Sequence, residues 1–552
     1  MRKTLGIGED DYRLLISNHH YYVDKTLLIK DFLDDGSKVT LITRPRRFGK
    51  TLNMSMMAEF LDMTKDSKEI FKNTNIMETD KAEFMNEYPV IFISFKDVKG
   101  SKKNLVRMLK KTIFEEYRRY YFIIEQLNKL DKSTFEFTIE ELKKTMDEDL
   151  IGINDSIQLL CQLLSDYYGK RVILLIDEYD TPFMEAHNQG YYEDIHDALS
   201  TLLSTALKGN SYLNKALLTG IQRIAKENIF SGLNNLNVYG VDKKPYGQYF
   251  GLIESEAKDL LAYYDLQLTN EVKEMYDGYR IGEHEIYNPW SISKYAKEKE
   301  LTSYWVNTAS NTMIKNLMNH STKYFKDDYE TLIKEGSMNV HTNLETSYFE
   351  EASDETLWAL LINSGYLTIL EKIDMDYYKI CIPNDEVKKA FKDLTANFLG
   401  INESFLNRIE DSLRNGDILN FIKNYKNILL ENISYHNLVN ENSYHMLMNG
   451  LCAYMYNTHK VVSNLESGKG RCDIILYSLN KEKYPNYILE FKYTKDREAD
   501  LQKIANEAIH QIYQNQYDAG MHGETYYLGL AHCGKEVEVL YEKKCYNKWQ
   551  KN

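Results

Sequence analysis

Proline and glycine are scarce in this chain of 552 residues, at 7 and 27. So few chain breakers exclude long flexible linkers and collagen-like segments. Low-complexity tracts and internal repeats of solenoid period are also missing. Cysteine is sparse: the six residues at 161, 381, 452, 472, 533 and 545 show no C-x-x-C and no Cys/His spacing suited to zinc. That pattern argues against a disulfide framework or zinc ribbon and for free thiols in a reducing cytosol. No apolar run is long enough to span a bilayer, Val172–Ile176 being among the longest. The start, MRKTLGIGEDD, turns acidic before an apolar stretch can form, so no signal peptide, a cytoplasmic location and no membrane partner are expected. Basic charge is not in excess either: 68 Lys and Arg against 82 Asp and Glu leave −14, so any nucleic-acid binding needs a local basic groove.

Hydrophobic residues make up 43% of the chain, enough for large cores divided among two to four domains. The 44 tyrosines read as packing residues, with base stacking as the lesser alternative. Strands are expected at Lys38–Thr43, Val90–Phe95, Arg171–Ile176 and Ala216–Thr219. Helical patterns separate them, one of these closing at Gly169. Alternating strands and helices predict a doubly wound, mostly parallel α/β sheet over 1–240. Residues 241–400 read as mostly helical, ending in a helix (357–367) and a small β-wing (378–383). Residues 401–552 read as a separate α/β unit, with strands at 471–477 and 487–493, a helix at 499–516 and a last strand near 526–531.

Residues 44–51, Arg-Pro-Arg-Arg-Phe-Gly-Lys-Thr, lie between the first strand and a helix. They match the end of a phosphate-binding loop, with Arg44 where the first glycine of the general pattern belongs. Gly49 permits close approach of backbone N–H groups to phosphates, Lys50 supplies the cation and Thr51 a hydroxyl for Mg²⁺. Arg46 and Arg47 join this nucleotide-binding set. A basic turn that merely contains Gly-Lys-Thr is the alternative. Asp177 and Glu178 close the strand Arg171–Ile176, at the sheet edge where open α/β folds bind ligands. Asp177 is expected to hold the metal and Glu178 to orient or deprotonate the attacking water, although an aspartate there can also cap a helix. The spacing implies an extra strand between the loop strand and the acidic strand. Thr219 then sits where a γ-phosphate sensor belongs, and Arg223 is either a cis arginine finger or an ordinary surface arginine.

A second constellation comprises Glu466, Asp473, Glu490 and Lys492. Alternation puts Ile488, Glu490 and Lys492 on one face of a strand and Leu489 and Phe491 on the other. A symmetric hairpin centred in the polar loop 478–486 sets Asp473 opposite Glu490, close enough to share Mg²⁺. Such a site suits phosphodiester hydrolysis: carboxylates hold the metal and Lys492 aligns the nucleophile. A solvated face with a cross-strand ion pair is the alternative. Gln511, on the following helix, either completes the site or is a helix-surface residue.

Several stretches together carry a family resemblance: Tyr22-Val23-Asp24-Lys25-Thr26, RPRRFGKT (44–51), LLIDEYD (174–180), LTGIQRIAKENIFSGLNN (218–235), YDGY (276–279), YNPWSI (287–292), NSGYLT (363–368), IPNDEV (382–387), SNLESGKGRCDIIL (463–476) and LEFK (489–492). The chain resembles bacterial proteins that join an AAA-ATPase-like domain to a C-terminal PD-(D/E)XK nuclease-superfamily domain. The resemblance spans nearly the whole chain. It implies a P-loop NTPase core, a helical and winged-helix lid, and a restriction-endonuclease-like α/β domain. It implies ATP and Mg²⁺ at Lys50, Thr51, Asp177 and Glu178. It also implies a nuclease centre at Glu466, Asp473, Glu490 and Lys492, with Mg²⁺ or Mn²⁺, and Glu441 as an extra carboxylate. The implied partner is nucleic acid, DNA ahead of RNA, with a homo-oligomer left open. An RPRRFGK loop is usual in that family, whereas Cys472 stands where the superfamily name places proline. The activity implied is ATP hydrolysis coupled to a nuclease, in defence or DNA processing. A nucleotide-gated switch that binds nucleic acid or protein without cutting is the alternative.

Overall fold

The computed structural model describes residues 2–144, 149–224, 236–305, 314–315, 317–318, 321–345, 353–398, 403–431, 441–452, 455, 458–467, 470–519 and 521–546. For some of these, Glu441 and 463–467 included, only the backbone is described. The chain forms two compact units, one of 1–306 with 339–387 and the other of 307–338 with 388–552.

In the first unit, β1 (Val39–Thr43), β2 (Val90–Ser94), β3 (Val172–Asp177), β4 (Leu213–Gly220) and β5 (Leu236–Tyr239) form a parallel sheet in the order β2-β3-β4-β1-β5. β1 and β3 are buried along their whole length, as continuous apolar strands in a sheet covered on both faces must be. β4 is the extra strand expected between them, whereas the short, partly exposed β5 was not anticipated. Parallel pairing brings the carboxyl ends of four strands side by side: Ser94 pairs with Asp177, and Ile42 and Thr43 pair with Thr219 and Gly220. The helix Lys50–Leu61 starts at Gly49, whose φ of 83° is a left-handed conformation that side chains resist.

The rest of this unit packs helices Glu254–Tyr263, Asn270–Tyr276 and Pro289–Glu298 around Leu252, Leu261, Val272 and Ile292. Asn288 caps the third helix by accepting from the N–H groups of Trp290 and Ser291, and Pro289 fits the first turn, where no N–H is needed. A hairpin of β6 (Tyr279–Ile281) and β7 (His284–Ile286) precedes it. The expected helix and β-wing are present as Asp354–Asn363 and a sheet of β8 (Ser337–His341), β9 (Thr368–Asp374) and β10 (Tyr377–Cys381), in the order β8-β10-β9.

In the second unit β11 (His459–Ser467), β12 (Gly470–Ser478), β13 (Asn486–Tyr493), β14 (Gly523–Cys533) and β15 (Glu536–Tyr546) form one sheet in chain order. Only β13 and β14 run parallel, joined by the helix Leu501–Asn515, which Asp500 caps. The β12–β13 hairpin and this helix match expectation; β11 and β15 are additional. Leu489 and Phe491 pack with Leu406, Phe421 and Met448 of the helices preceding the sheet, while Ile488 packs with Ile509 and Ile512 of the crossover helix. β13 therefore alternates as read, and Glu490 belongs to the crossover-helix face. Gly529, opposite Glu490 in β14, permits that helix to lie close: a Cβ there would come 2.2 Å from the Ala505 carbonyl oxygen.

Candidate nucleotide and metal sites

At the carboxyl edge of the first sheet, Asp177 is fully buried. Thr51 Oγ1 donates to its Oδ2 at 2.7 Å and Thr219 Oγ1 to its Oδ1 at 2.6 Å, with Ser94 Oγ at 3.4 Å. Burial, and the charge of Glu178 beside it, raise the Asp177 pKa, while the hydroxyls and Lys50 oppose that shift. Lys50 Nζ donates to the carbonyls of Arg44 and Pro45 at 3.0 and 2.9 Å, so its ammonium spans the loop that precedes it. Burial lowers its pKa, and the carboxylates of Glu178, Asp177 and Asp180 work against that. The space in front of Gly49 is open. Thr51 and Asp177 thus form a hydroxyl–carboxylate pair suited to a magnesium ion at a helix N-terminus.

Glu178 adopts a φ of 52°, rare for a residue with a side chain and common where function holds the backbone in place. Its Oε2 accepts from Thr181 Oγ1 at 3.2 Å. The segment is locked from both sides. Tyr179 donates its backbone N–H to Thr219 O and its hydroxyl to Gln222 O. Asp180, buried, accepts the N–H groups of Ile221 and Gln222 at 2.8 and 2.9 Å, and burial pushes its carboxyl up to about 6. Gly220 is required there, since a Cβ would meet Asp180 Oδ1 at 2.7 Å. Sequence reasoning missed Asp180 and Ser94 as parts of the site. The glycine directly after Thr219 and the second aspartate of LLIDEYD were the available signals.

The loop arginines are used differently from one another. Arg44, fully buried, donates to the carbonyls of Thr43, Tyr239 and Gly240 and lies over the Phe250 ring at 5.5 Å. It fastens the loop to the end of β5, in the position where a glycine is usual. Burial brings its guanidinium down to about 9. Arg47, with a φ of 68°, donates to the carbonyls of Tyr304 and Trp305 at 2.7 and 3.2 Å and lies 4.7 Å over the Trp290 ring. Arg46 is half-buried, and its charge helps lower the Lys50 ammonium. Thr219, expected as a phosphate sensor, is fully buried with its hydroxyl on Asp177. Arg223, expected as an arginine finger or a surface residue, is paired with Glu345. A cavity of about 140 Å³ adjoins Gly49, Leu52 and Asn53 and is lined by Tyr21, Tyr22 and Val23 of the amino-terminal segment.

In the second unit, the β12–β13 ladder pairs Ile474 with Leu489, Ile475 with Ile488 and Leu476 with Tyr487, so Asp473 and Glu490 fall opposite each other. At that point the Asp473 carboxylate accepts the Phe491 N–H at 2.8 Å, taking the place of a strand carbonyl. Glu490 is 2% exposed. Its Oε1 accepts from Gln511 Nε2 and lies 3.5 Å from Lys492 Nζ. Its Oε2 is buried with no hydrogen-bond partner. Burial, then the charge of Asp473, lift the Glu490 carboxyl to about 8, and Lys492 opposes them. A buried carboxylate oxygen without a donor, beside a second carboxylate, fits a cation such as Mg²⁺ or Mn²⁺. The side chains of Glu466 and Glu441 lie outside the described residues. Among the described residues no cluster of three or more His, Cys, Asp or Glu side chains is arranged to hold a metal.

Residues 6–230 match the family model described as "Predicted AAA-ATPase", and residues 439–542 match the PD-(D/E)XK nuclease superfamily. A protein of Azotobacter chroococcum mcd 1, described as an uncharacterized protein in the vnfD 5′ region, is 27% identical over 405 residues, covering 71% of this chain and 70% of that protein. The chain thus joins an AAA-ATPase-like domain to a PD-(D/E)XK-superfamily domain, on an α/β fold throughout.

Proposed function

We propose that this chain is an ATP-hydrolysing switch coupled to a metal-dependent nuclease that cleaves phosphodiesters of nucleic acid, DNA ahead of RNA. In the first unit the backbone N–H groups around Gly49, together with Lys50, take the triphosphate, and Arg46 and Arg47 are the loop cations that can join them. Lys50 exchanges two neutral carbonyl partners for phosphate oxygens, a stronger charge-assisted bond. The apolar recess lined by Tyr21, Tyr22 and Val23 accommodates the base. Thr51 and Asp177 would hold Mg²⁺, and Glu178, fixed by its neighbours, orients the attacking water. Thr219 acts by orienting Asp177.

In the second unit Asp473 and Glu490 would hold Mg²⁺ or Mn²⁺, which when bound acidifies a water and neutralises charge on phosphate. Gln511 orients the Glu490 carboxylate, and Lys492 aligns the nucleophile and draws in the phosphate. One observation carries this reading: the buried, unpartnered Glu490 Oε2 beside Asp473, a costly arrangement unless a cation or proton occupies it. Six cysteines outside any disulfide suit a reducing cytoplasm, and among the described residues no helix is long and apolar enough to cross a membrane. The second reading, a nucleotide-gated module that binds without cutting, draws on there being only two described carboxylates at the site.

The test is a cleavage assay on single- and double-stranded DNA and RNA with Mg²⁺ or Mn²⁺, with and without ATP. Wild type is compared with Glu490→Gln, Lys492→Ala and Glu178→Gln. Metal-dependent cutting lost in the first two variants supports the nuclease. No cutting under any condition leaves the binding module, and full activity of Lys492→Ala refutes the site.

A further inference from the structure

The peptide units of Tyr304 and Trp305 are gripped on both sides. Their carbonyls accept from Arg47 of the phosphate loop. Their N–H groups donate to Glu386 Oε1 at 2.6 and 2.8 Å, and Glu386 also accepts from Ser291 Oγ. Glu386 is fully buried and its charge faces Arg47. Trp290 completes the clamp, with its ring under the Arg47 guanidinium and its Nε1 donating to Tyr304 O at 3.2 Å. Two further loop residues meet the same region: a Cβ on Gly365 would come 2.9 Å from Pro45, and Phe48 packs edge-on against Tyr279 at 5.0 Å.

The location of this clamp in the chain sets its consequence. The first unit ends its long segment at Val306, one residue after Trp305, and its second at Val387, one residue after Glu386. Arg47 therefore holds the chain next to one passage into the unit that carries Asp473 and Glu490, and Glu386, which grips the same two peptide units, stands next to another. All residues of the clamp lie in the first unit.

We propose that Arg47 and Glu386 are positioning residues that link occupancy of the phosphate loop to the chain passages at 305–306 and 386–387. A bound triphosphate competes with the Tyr304 and Trp305 carbonyls for Arg47. The carbonyls are neutral acceptors, and a phosphate offers charge-assisted, bidentate bonds about twice as strong. Once Arg47 turns to phosphate, the Tyr304–Trp305 segment keeps only Glu386 and the Trp290 Nε1 bond to Tyr304 O, and opens more often. By linkage, whatever stabilises the closed clamp weakens nucleotide binding by the same factor. This rests on the phosphate-loop reading above, with Arg47 as the shared group.

Hydrogen–deuterium exchange on the full chain tests it, read at peptides covering 300–305 and 380–387 with and without a non-hydrolysable ATP analogue and Mg²⁺. Nucleotide affinity is titrated separately in wild type and Lys50→Ala. In wild type, saturating analogue should speed exchange of the Tyr304 and Trp305 amides about tenfold, as loss of one or two hydrogen bonds implies. In Arg47→Ala these amides should exchange fast without nucleotide and respond no further, and Arg47→Lys should fall between. Glu386→Gln, which keeps an acceptor but not the charge, should bind the analogue more tightly than wild type. Bound analogue with unchanged exchange at 304–305, or an Arg47→Ala response equal to wild type, overturns the coupling and leaves the phosphate-loop reading standing. Failure of wild type to bind, or full affinity in Lys50→Ala, overturns both.

Discussion

Replacing Gly529 by alanine tests how the second unit builds its site, because one methyl group there touches both stability and chemistry. The added Cβ would lie 2.2 Å from the Ala505 carbonyl oxygen and 3.0 Å from Ile509 Cγ1, where ordinary contact begins near 3.4 Å. The obstacle is helix backbone, so the helix Leu501–Asn515 must withdraw from β14 by about 1 Å. Overpacking of this kind costs about 1–3 kcal/mol, or about 2–12 °C in melting temperature for a unit of this size. The same helix carries Gln511, whose amide donates to Glu490 Oε1. Misplacing such a group by 1 Å can cost about 100-fold in rate. Calorimetry of the full chain, with metal-dependent cleavage measured in parallel, checks both effects. Gly36→Ala, at a glycine with nothing within 4 Å, serves as the control expected to change neither. If Gly529→Ala melts and cuts as the control does, the close helix–sheet approach and its role in holding Glu490 are refuted.

Other outcomes follow from single contacts. Thr51→Val removes the hydroxyl from Asp177 and should lower ATP turnover at least about tenfold, with Thr51→Ser restoring most of it; equal turnover in Thr51→Val would dismiss the hydroxyl–carboxylate pair. Glu490→Gln should abolish metal-dependent cleavage by about 100-fold or more while leaving the fold intact, and Gln511→Ala should lower it by about tenfold, both read in single-turnover assays. Burial lifts the Glu386 carboxyl to about 7, against the pull of Arg47, so the folded state binds this proton more tightly than the unfolded chain does. Its stabilisation is complete below about pH 4.5 and is lost as pH rises through 7, on the order of 2–3 kcal/mol. The melting temperature of wild type should therefore fall between pH 5 and 7.5 more steeply than that of Glu386→Gln, and parallel curves would count against the buried carboxyl.

Much of the fold was legible in the chain because it depends on patterns a few residues long. The runs at β1, apolar but for two threonines, and at β3, apolar up to Asp177, marked strands buried on both faces. The alternation of Ile488, Glu490 and Lys492 with Leu489 and Phe491 marked the faces of β13, and the polar loop before it set the register of Asp473. β15 carries a short signal of its own, with Val537 and Val539 alternating with Glu536 and Glu538 before Leu540 breaks the pattern. β11 offers little beyond Val461-Val462, too short a run to stand out.

The sequence by itself determined which residues are candidates for chemistry: a helix begun by Gly49, Lys50 and Thr51, an acidic strand end at Asp177 and Glu178, and a hairpin with Asp473, Glu490 and Lys492. Tertiary structure alone decided how each of them is used. Arg46 and Arg47 read alike as cations near phosphate and Arg44 as the residue in place of the loop's first glycine, yet Arg44 is buried on the carbonyls of Thr43, Tyr239 and Gly240, and Arg47 holds Tyr304 and Trp305. Asp180 and Glu386 gave no sign of their partners, which lie 41 and 42 residues away in the first case and 81 and 82 in the second. The physical reason is that periodicity and capping act over neighbouring residues, whereas a buried charge is settled by whichever distant backbone groups the fold brings within hydrogen-bond reach.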